Sequence, residues 1–156
     1  RLKSAKNPKE KGGIVWHTQG SGKSLTMMFV VHKMYRSQGL AGYKVVFITD
    51  RKALQKQLKG TAKSIGYKVK DADTISKLKK YLSTDTPDLV MGMIHKFQER
   101  EIQQKFPILN RSEKILIMVD EAHRTQYKML GANLERSLPN AVRIAFTGRC
   151  MLKQRG

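Results

Sequence analysis

The sequence contains few cysteines, few acidic residues and no long apolar run. Its 156 residues include a single cysteine, Cys150, so no disulfide can form within the chain. We therefore expect a reducing, cytoplasmic setting. Because no stretch of about 18 consecutive apolar residues occurs, no membrane-spanning helix is expected. A secretory signal, a metal-ligand pattern around Cys150, repeats and low-complexity tracts are absent as well.

The scarcity of acidic residues gives the chain a strongly basic balance. It has 12 Asp and Glu against 31 Lys and Arg, and a formal net charge of +19. This imbalance favours a polyanionic partner, with nucleic acid as the first candidate and an acidic membrane surface as the second. The basic residues are dispersed along the chain, which suits a folded binding face. A merely solvated surface accounts for part of the lysine content.

Short apolar runs alternate with helix-like segments through most of the chain. The runs are continuously apolar, as in strands that are buried on both faces of a parallel sheet. We predict one α/β domain of three layers, α/β/α, with a mostly parallel central sheet. The pattern predicts strands at residues 13–17, 45–49, 67–69, 89–94, 115–119 and 142–146, and helices at 23–38, 51–65, 73–82, 97–106 and 122–138.

In the first predicted helix, Leu25, Met28, Phe29 and His32 share one helical face. The methionines of this helix (Met27, Met28 and Met34) are interpreted as core filler. A helix cap is expected at Asp73 or Thr74.

The junction between the first strand and the first helix carries a glycine-rich motif. It reads Trp16-His17-Thr18-Gln19-Gly20-Ser21-Gly22-Lys23-Ser24. A strand, a glycine-rich loop ending in Gly-Lys-Ser and a helix form the arrangement of a phosphate-binding loop. Gly20 and Gly22 let backbone N–H groups turn towards an anion, and the helix N-terminus adds its dipole.

This loop predicts binding of a nucleoside triphosphate. Lys23 is placed to reach the β- and γ-phosphates, and Ser24 to ligate Mg²⁺. The usual motif begins with a glycine, and this chain has His17 in that place. The predicted nucleotide-binding residues are Thr18, Gln19, Gly20, Ser21, Gly22, Lys23 and Ser24.

The predicted strand 115–119 is followed directly by Asp120-Glu121-Ala122-His123. Carboxyl ends of parallel strands line the ligand crevice of such folds. There Asp120 is predicted to hold Mg²⁺ together with Ser24, and Glu121 to orient and deprotonate an attacking water. The simpler interpretation is a helix N-terminus that carries acids favoured by the helix dipole. His123 is either a packed histidine or a residue that links nucleotide state to neighbouring elements.

Other strand ends are expected to face the same crevice. Arg51 follows the second strand and is a candidate contact to the phosphate backbone of nucleic acid. An equally good interpretation is that Asp50 caps the next helix and that Arg51 is simply exposed. Lys96, after the fourth strand, is a second candidate for a contact that positions nucleic acid without reading its sequence. Thr147 and Gly148 end the last strand.

These motifs resemble those of superfamily 2 helicases and translocases, and more narrowly the motor region of the R subunit (HsdR) of type I restriction endonucleases. The resemblance is carried by residues 13–24, 46–51, 119–127 and 145–148, in the family's order. It implies a RecA-like first motor domain that uses ATP and Mg²⁺ to translocate double-stranded DNA. It also implies methyltransferase and specificity subunits as partners, and a second motor domain and a nuclease domain within the same full-length chain.

Carried over residue by residue, the resemblance makes Lys23 and Ser24 the phosphate and Mg²⁺ ligands. Asp120 and Glu121 match the Mg²⁺ and water-activating pair, with His123 completing the Asp-Glu-Ala-His box. Thr147 and Gly148 match the motif that couples hydrolysis to movement, although the family usually continues Thr-Pro where this chain has Arg149-Cys150.

The expected organisation is a basic lead-in at 1–12, the motor domain at 13–148 and a C-terminal stub at 149–156 that precedes the second motor domain. Alone, such a domain is expected to bind Mg-ATP weakly, to bind DNA electrostatically and to hydrolyse little ATP. Two alternatives stay open. One is another superfamily 2 motor, such as an RNA helicase or a chromatin-type remodeller, and the other is a non-hydrolysing, nucleotide-dependent DNA-binding module.

Overall fold

The computed structural model describes residues 12–18, 22–120 and 125–148 of the chain. Strands and helices alternate along these residues, as the sequence pattern predicts. The strands are β1 (Gly13–Trp16), β2 (Lys44–Thr49), β3 (Val69–Ala72), β4 (Leu89–Met93), β5 (Ile115–Asp120) and β6 (Val142–Thr147). The helices are α1 (Lys23–Arg36), α2 (Lys52–Ser64), α3 (Ile75–Leu82), α4 (Glu99–Gln103) and α5 (Thr125–Ser137).

The six strands form a single sheet in the order β1-β6-β5-β2-β4-β3, and every neighbouring pair is parallel. At its centre, Val46 of β2 lies opposite Ile117 of β5 on one side and Val90 of β4 on the other. Strands β2, β4 and β5 are buried along their whole length. The predicted α/β fold with a parallel central sheet is therefore confirmed.

Helices cover both faces of the sheet because side chains of each buried strand alternate between two apolar clusters. On one face, α1 and α2 pack against Val45 and Phe47. On the other face, residues of α3, α4 and α5 pack against Val46, Ile48 and Ile117. The sheet is thus the middle layer of three. No helix of the described segments has both the length and the apolarity that crossing a bilayer requires.

The face of α1 that packs on the sheet differs from the predicted one. Leu25 and Phe29 are 63% and 66% exposed, whereas Met27 and Met28 are 1% exposed. The buried stripe also includes Ser24, Val31 and Met34. The helix is oriented so that Ser24, in its first turn, faces the interior. Leu25 and Phe29, which follow the buried Ser24 and Met28, face outwards. Of the predicted face, Met28 alone is buried. The interpretation of Met27, Met28 and Met34 as core residues is confirmed.

Most predicted elements shift by one to three residues at their ends, and two cases have a clear structural reason. The third strand, predicted at 67–69, begins at Val69 because the Tyr67 N–H bonds back to the carbonyl of Ala62 and closes the end of α2. The helix predicted at 97–106 shortens to Glu99–Gln103, since Phe97 and Gln104 have extended backbones. The predicted cap of α3 is Thr74, whose side chain accepts the Lys77 N–H at 3.2 Å.

Candidate functional site

The carboxyl ends of β2 and β5 and the N-terminus of α1 surround one cleft of about 680 Å³. Parallel strands all end at the same edge of a sheet, which is where α/β folds bind ligands. Lys23, Ser24, Arg51 and Asp120 line this cleft, as does Thr18 on the strand side of the loop. Residues that are distant in sequence but share a position after a parallel strand are therefore brought together.

Gly22 begins α1 in a left-handed conformation, with φ 81° and ψ 33°. Residues with a Cβ disfavour this region of backbone space, whereas glycine adopts it freely. The Gly22 carbonyl accepts the first helical hydrogen bond, from Thr26 N at 3.0 Å. The side chain of Gly22 is a hydrogen, so Gly22 itself makes no side-chain cap to the helix. Backbone N–H groups at the N-terminus of a helix suit an anion, and this terminus opens on the cleft.

Asp120 is the most enclosed polar group of the cleft, with a side chain that is 0% exposed. Its Oδ1 accepts a hydrogen bond from the Lys23 ammonium at 2.9 Å. Its Oδ2 lies 3.3 Å from the Thr49 hydroxyl, which donates to it, and 3.8 Å from Nε of Arg51. A buried carboxylate requires this kind of compensation. Both oxygens of Asp120 therefore have partners supplied by neighbouring elements of the site.

Ser24 makes a different contact, to helix α2. Its hydroxyl donates to Oε1 of Gln57 at 2.9 Å. Ser24 is 9% exposed, and Gln57 lines the same cleft. The predicted phosphate loop and the helix that follows β2 are therefore joined at this point.

His17 stands where the usual motif has its first glycine, and it connects three parts of the site. Its backbone N–H donates to the carbonyl of Thr147 at 2.9 Å. Its Nε2 lies 3.1 Å from the hydroxyl of Thr26, which in turn lies 3.2 Å from the carbonyl of Gly22. The histidine side chain thus adds one hydrogen bond between the ends of the loop. The backbone bond to Thr147 continues the pairing of β1 with β6, which places the predicted coupling residue beside the start of the loop.

The two predicted nucleic-acid contacts, Arg51 and Lys96, lie in different environments. Arg51 lies inside the cleft, within 3.8 Å of Asp120, and its backbone N–H donates to the Thr49 hydroxyl at 3.1 Å. Its position therefore suits a phosphate in the cleft as well as one on nucleic acid. Asp50 is not the cap of α2, since that position is occupied by Arg51. Lys96 is exposed in the short 3₁₀ turn Ile94–Lys96 after β4.

Several predicted site residues lie outside the described segments: Gln19, Gly20 and Ser21 of the loop, together with Glu121 and His123. Gly148 is described and follows β6 directly. Two polar residues that bond to predicted site residues were not themselves predicted as site residues. Thr49 ends a strand that was predicted to face the ligand side, whereas nothing in the sequence distinguishes Gln57 from the other polar residues of α2.

The donor set of the cleft suits a magnesium ion bound to a nucleotide. Ser24 and Asp120 offer a hydroxyl and a carboxylate, which are the oxygen ligands that Mg²⁺ prefers. Within residues 12–18, 22–120 and 125–148, no group of three or more His, Cys, Asp or Glu residues could hold a metal alone. Mg²⁺ needs no such group, because substrate phosphates and waters complete its coordination.

The parallel sheet, the Gly-Lys-Ser turn at the start of α1 and the acidic residue at the end of β5 together define the class: an α/β domain of the helicase-like ATPase type. The chain belongs to the SWI2/SNF2 ATPase family, whose model matches residues 1–155.

Individual relatives agree with this assignment. The chain is 36% identical, over 86% of its length, to a Methanocaldococcus jannaschii protein named as the MjaIXP endonuclease subunit of a type I restriction enzyme. It is 35% identical, over 89% of its length, to the type I restriction enzyme HindI endonuclease subunit of Haemophilus influenzae. The resemblance to type I restriction endonuclease subunits is thus confirmed. The chain spans 13% and 15% of the lengths of these two proteins.

The fold also matches a solved structure, the helicase domain of Pyrococcus furiosus Hef. The TM-score is 0.58 with 19% sequence identity, and the match covers 91% of this chain and 30% of the other. At this identity the likeness concerns the fold.

Proposed function

We propose that this chain is the first motor domain of a type I restriction enzyme R subunit, which binds and hydrolyses ATP to translocate double-stranded DNA. The observation that carries the proposal is the convergence of Lys23, Ser24 and Asp120 on one cleft. The relatives named as endonuclease subunits of type I restriction enzymes support it. Translocation is coupled to DNA cleavage in the whole protein, and the nuclease domain lies elsewhere in that protein.

In this proposal different residues of the cleft bind the phosphates and the Mg²⁺ of Mg-ATP. The N–H groups at the start of α1 and the Lys23 ammonium bind phosphate oxygens, and Ser24 and Asp120 hold Mg²⁺. The ion would neutralise charge on the phosphates and fix their orientation. Arg51 lies close enough to Asp120, at 3.8 Å, to contribute positive charge to the same cleft. Glu121 orients the attacking water, and Thr147 and Gly148 couple the site to movement.

Duplex DNA is the polyanionic partner that the net charge of +19 favours. Lys96 is exposed at the end of β4 and is the better placed of the two predicted backbone contacts. The proposed protein partners are the methyltransferase and specificity subunits of a type I complex, which would choose the DNA target. A second motor domain would supply the arginine that stabilises the transition state of hydrolysis.

Nucleotide binding tests the first step of this proposal. The protein is titrated with a non-hydrolysable ATP analogue and Mg²⁺ while its thermal unfolding is followed, beside the Lys23→Ala variant. A ligand that binds the folded state stabilises it by RT ln(1 + [L]/Kd). We expect stabilisation of the wild type and its loss in the variant. Equal behaviour of the two proteins contradicts the proposed phosphate site.

Hydrolysis is tested in the full-length protein by the Glu121→Gln substitution, measured as DNA-stimulated ATP turnover. A motor loses turnover when the water-activating carboxylate is removed, but retains nucleotide binding. A nucleotide-dependent binding module shows no difference between the two proteins. Robust DNA-stimulated turnover by the 156-residue chain alone would contradict the proposed need for a second motor domain.

A second candidate is a different superfamily 2 motor, and the match to the SWI2/SNF2 ATPase model over residues 1–155 favours it. The two candidates share the ATP site and differ in the nucleic acid on which they act. Separation of DNA strands, or a preference for RNA over duplex DNA, would favour the second candidate. Translocation on duplex DNA without strand separation, within a complex that contains the methyltransferase and specificity subunits, would favour the first.

A further inference from the structure

The contact between Ser24 and Gln57 joins the start of α1 to the middle of α2. The Ser24 hydroxyl donates to the Gln57 side-chain carbonyl, with 2.9 Å between Oγ and Oε1. The two helices pack side by side on the same face of the sheet. Gln57 lines the cleft from α2, and neither its charge nor its position in sequence marks it as a nucleotide contact.

The direction of this hydrogen bond matters for the chemistry of the serine. A hydroxyl has one proton and two lone pairs, so a hydroxyl that ligates a cation must give its proton to another acceptor. The oxygens of Asp120 accept hydrogen bonds from other residues, Oδ1 from Lys23 and Oδ2 from Thr49. In the described part of the chain, the proton of Ser24 goes to Gln57.

We propose that Gln57 is a positioning residue for the divalent cation. By accepting the hydrogen bond from Ser24, it leaves a lone pair of the hydroxyl for Mg²⁺ and fixes the rotation of the Ser24 side chain. The inference rests on the proposed function, in which Ser24 ligates the ion. Partners of this kind, which orient a metal ligand without touching the metal, typically change metal affinity by about 10–100-fold when they are removed.

The test measures the affinity for a fluorescent ATP analogue as a function of Mg²⁺ concentration, and again in EDTA. Gln57→Met keeps the length of the side chain and removes the acceptor, whereas Gln57→Glu keeps an acceptor. The matched control is Gln55→Met on the same helix, because the Gln55 amide bonds to Asp71 at 3.3 Å instead.

We expect Gln57→Met to need about 10–100-fold more Mg²⁺ for half-maximal tightening of nucleotide binding. Its affinity in EDTA should equal that of the wild type, and its unfolding midpoint should fall by no more than the loss of one hydrogen bond explains. Gln57→Glu should need no more Mg²⁺ than the wild type, and Gln55→Met should have the Mg²⁺ dependence of the wild type.

Two results would overturn the inference while the proposed function stands. In the first result, Gln57→Met has the Mg²⁺ dependence of the wild type. In the second, its affinity for the nucleotide falls by the same factor with and without Mg²⁺, which indicates a structural role. A wild type that shows no Mg²⁺-dependent nucleotide binding, or that binds no better than Lys23→Ala, overturns the proposed function and the inference with it.

Discussion

The ammonium group of Lys23 lies 2.9 Å from Oδ1 of Asp120, although 97 residues separate them in sequence. The pair links the start of α1 to the end of β5. The lysine that is proposed to bind phosphate is thus paired with the carboxylate that is proposed to bind Mg²⁺. In the proposed function, Mg-ATP would offer each of these groups a partner of opposite charge.

This ion pair should contribute measurably to the stability of the nucleotide-free protein. Lys23 and Asp120 have side chains that are 11% and 0% exposed, so solvent screens their attraction weakly. A double-mutant cycle with Lys23→Met and Asp120→Asn, measured by urea denaturation, should give a coupling free energy of about 1–3 kcal/mol.

The matched control for this cycle is the pair of Lys77 and Asp73, which are 2.8 Å apart on the surface with side chains 51% and 43% exposed. Solvent screens exposed pairs of this type strongly, so their coupling should be clearly smaller than that of Lys23 and Asp120. Equal coupling energies for the two pairs would show that burial does not strengthen the contact between Lys23 and Asp120.

Substitutions in α1 should follow the observed packing rather than the predicted helical face. Met28→Ala removes a side chain that is 1% exposed, and should lower the free energy of unfolding by about 2–5 kcal/mol. Leu25→Ala and Phe29→Ala change side chains that are 63% and 66% exposed, and should change it by about 0.5 kcal/mol or less. Chemical denaturation measures all three. A large decrease in the free energy of unfolding for Leu25→Ala and Phe29→Ala would show that the predicted helical face is the buried one.

The difference between these faces shows what could be predicted from the sequence. The apolar runs predicted the strands, and the rule that parallel strands end at one edge predicted that Lys23 and Asp120 share a site. The rotation of α1 about its axis could not be predicted, because Leu25 and Met28 are both apolar and both fit a helical stripe. In the folded protein Ser24 faces the interior, and this orientation determines which apolar residues of α1 are buried.

The same reasoning explains the unpredicted residues. The contact of Ser24 with Gln57 requires α1 and α2 to be neighbours on one face of the sheet, which the order of the strands decides. The position of Arg51 was predicted only as the end of a strand. Its approach to Asp120 follows from β2 and β5 being adjacent, and the sequence contains no direct signal for that pairing.

Gly92 should be required for the packing of β4 against its neighbours. A Cβ at this position would lie 2.8 Å from Cδ1 of Ile48 and 3.3 Å from Cζ of Phe97. Both side chains are buried, at 0% and 5% exposed, so they have little room to move. Gly92→Ala should therefore lower the free energy of unfolding by about 1–3 kcal/mol, measured by chemical denaturation.

Gly60 provides the control for this substitution, since a Cβ there has no neighbour within 4 Å. It lies inside α2, where alanine is favoured over glycine by about 0.5–1 kcal/mol. Gly60→Ala should thus stabilise the protein. If both variants are stabilised, the sheet around Gly92 is looser than the distances indicate.

Tyr35 should make the stability of the protein fall at alkaline pH. Burial raises the pKa of its phenol from 10.0 to about 12, with smaller contributions from Tyr67 and Asp88. Between these two values the tyrosine of the unfolded chain loses its proton while the folded protein retains it. The unfolded state therefore gains stability as pH rises through this range. The stabilising contribution is fully present below about pH 10 and is lost as pH approaches about 12.

The Tyr35→Phe variant isolates this effect, because it removes the phenol and leaves the other titrating groups in place. At pH 7 it should lose only the hydrogen bond that the Tyr35 hydroxyl donates to the Tyr43 carbonyl at 3.1 Å, a cost of about 1 kcal/mol. Above pH 10 the free energy of unfolding of the wild type should fall more steeply than that of the variant. The two plots of unfolding free energy against pH, each obtained by chemical denaturation, therefore converge. Profiles that stay parallel from pH 7 to pH 12 would mean that the phenol of Tyr35 titrates alike in the folded and unfolded states.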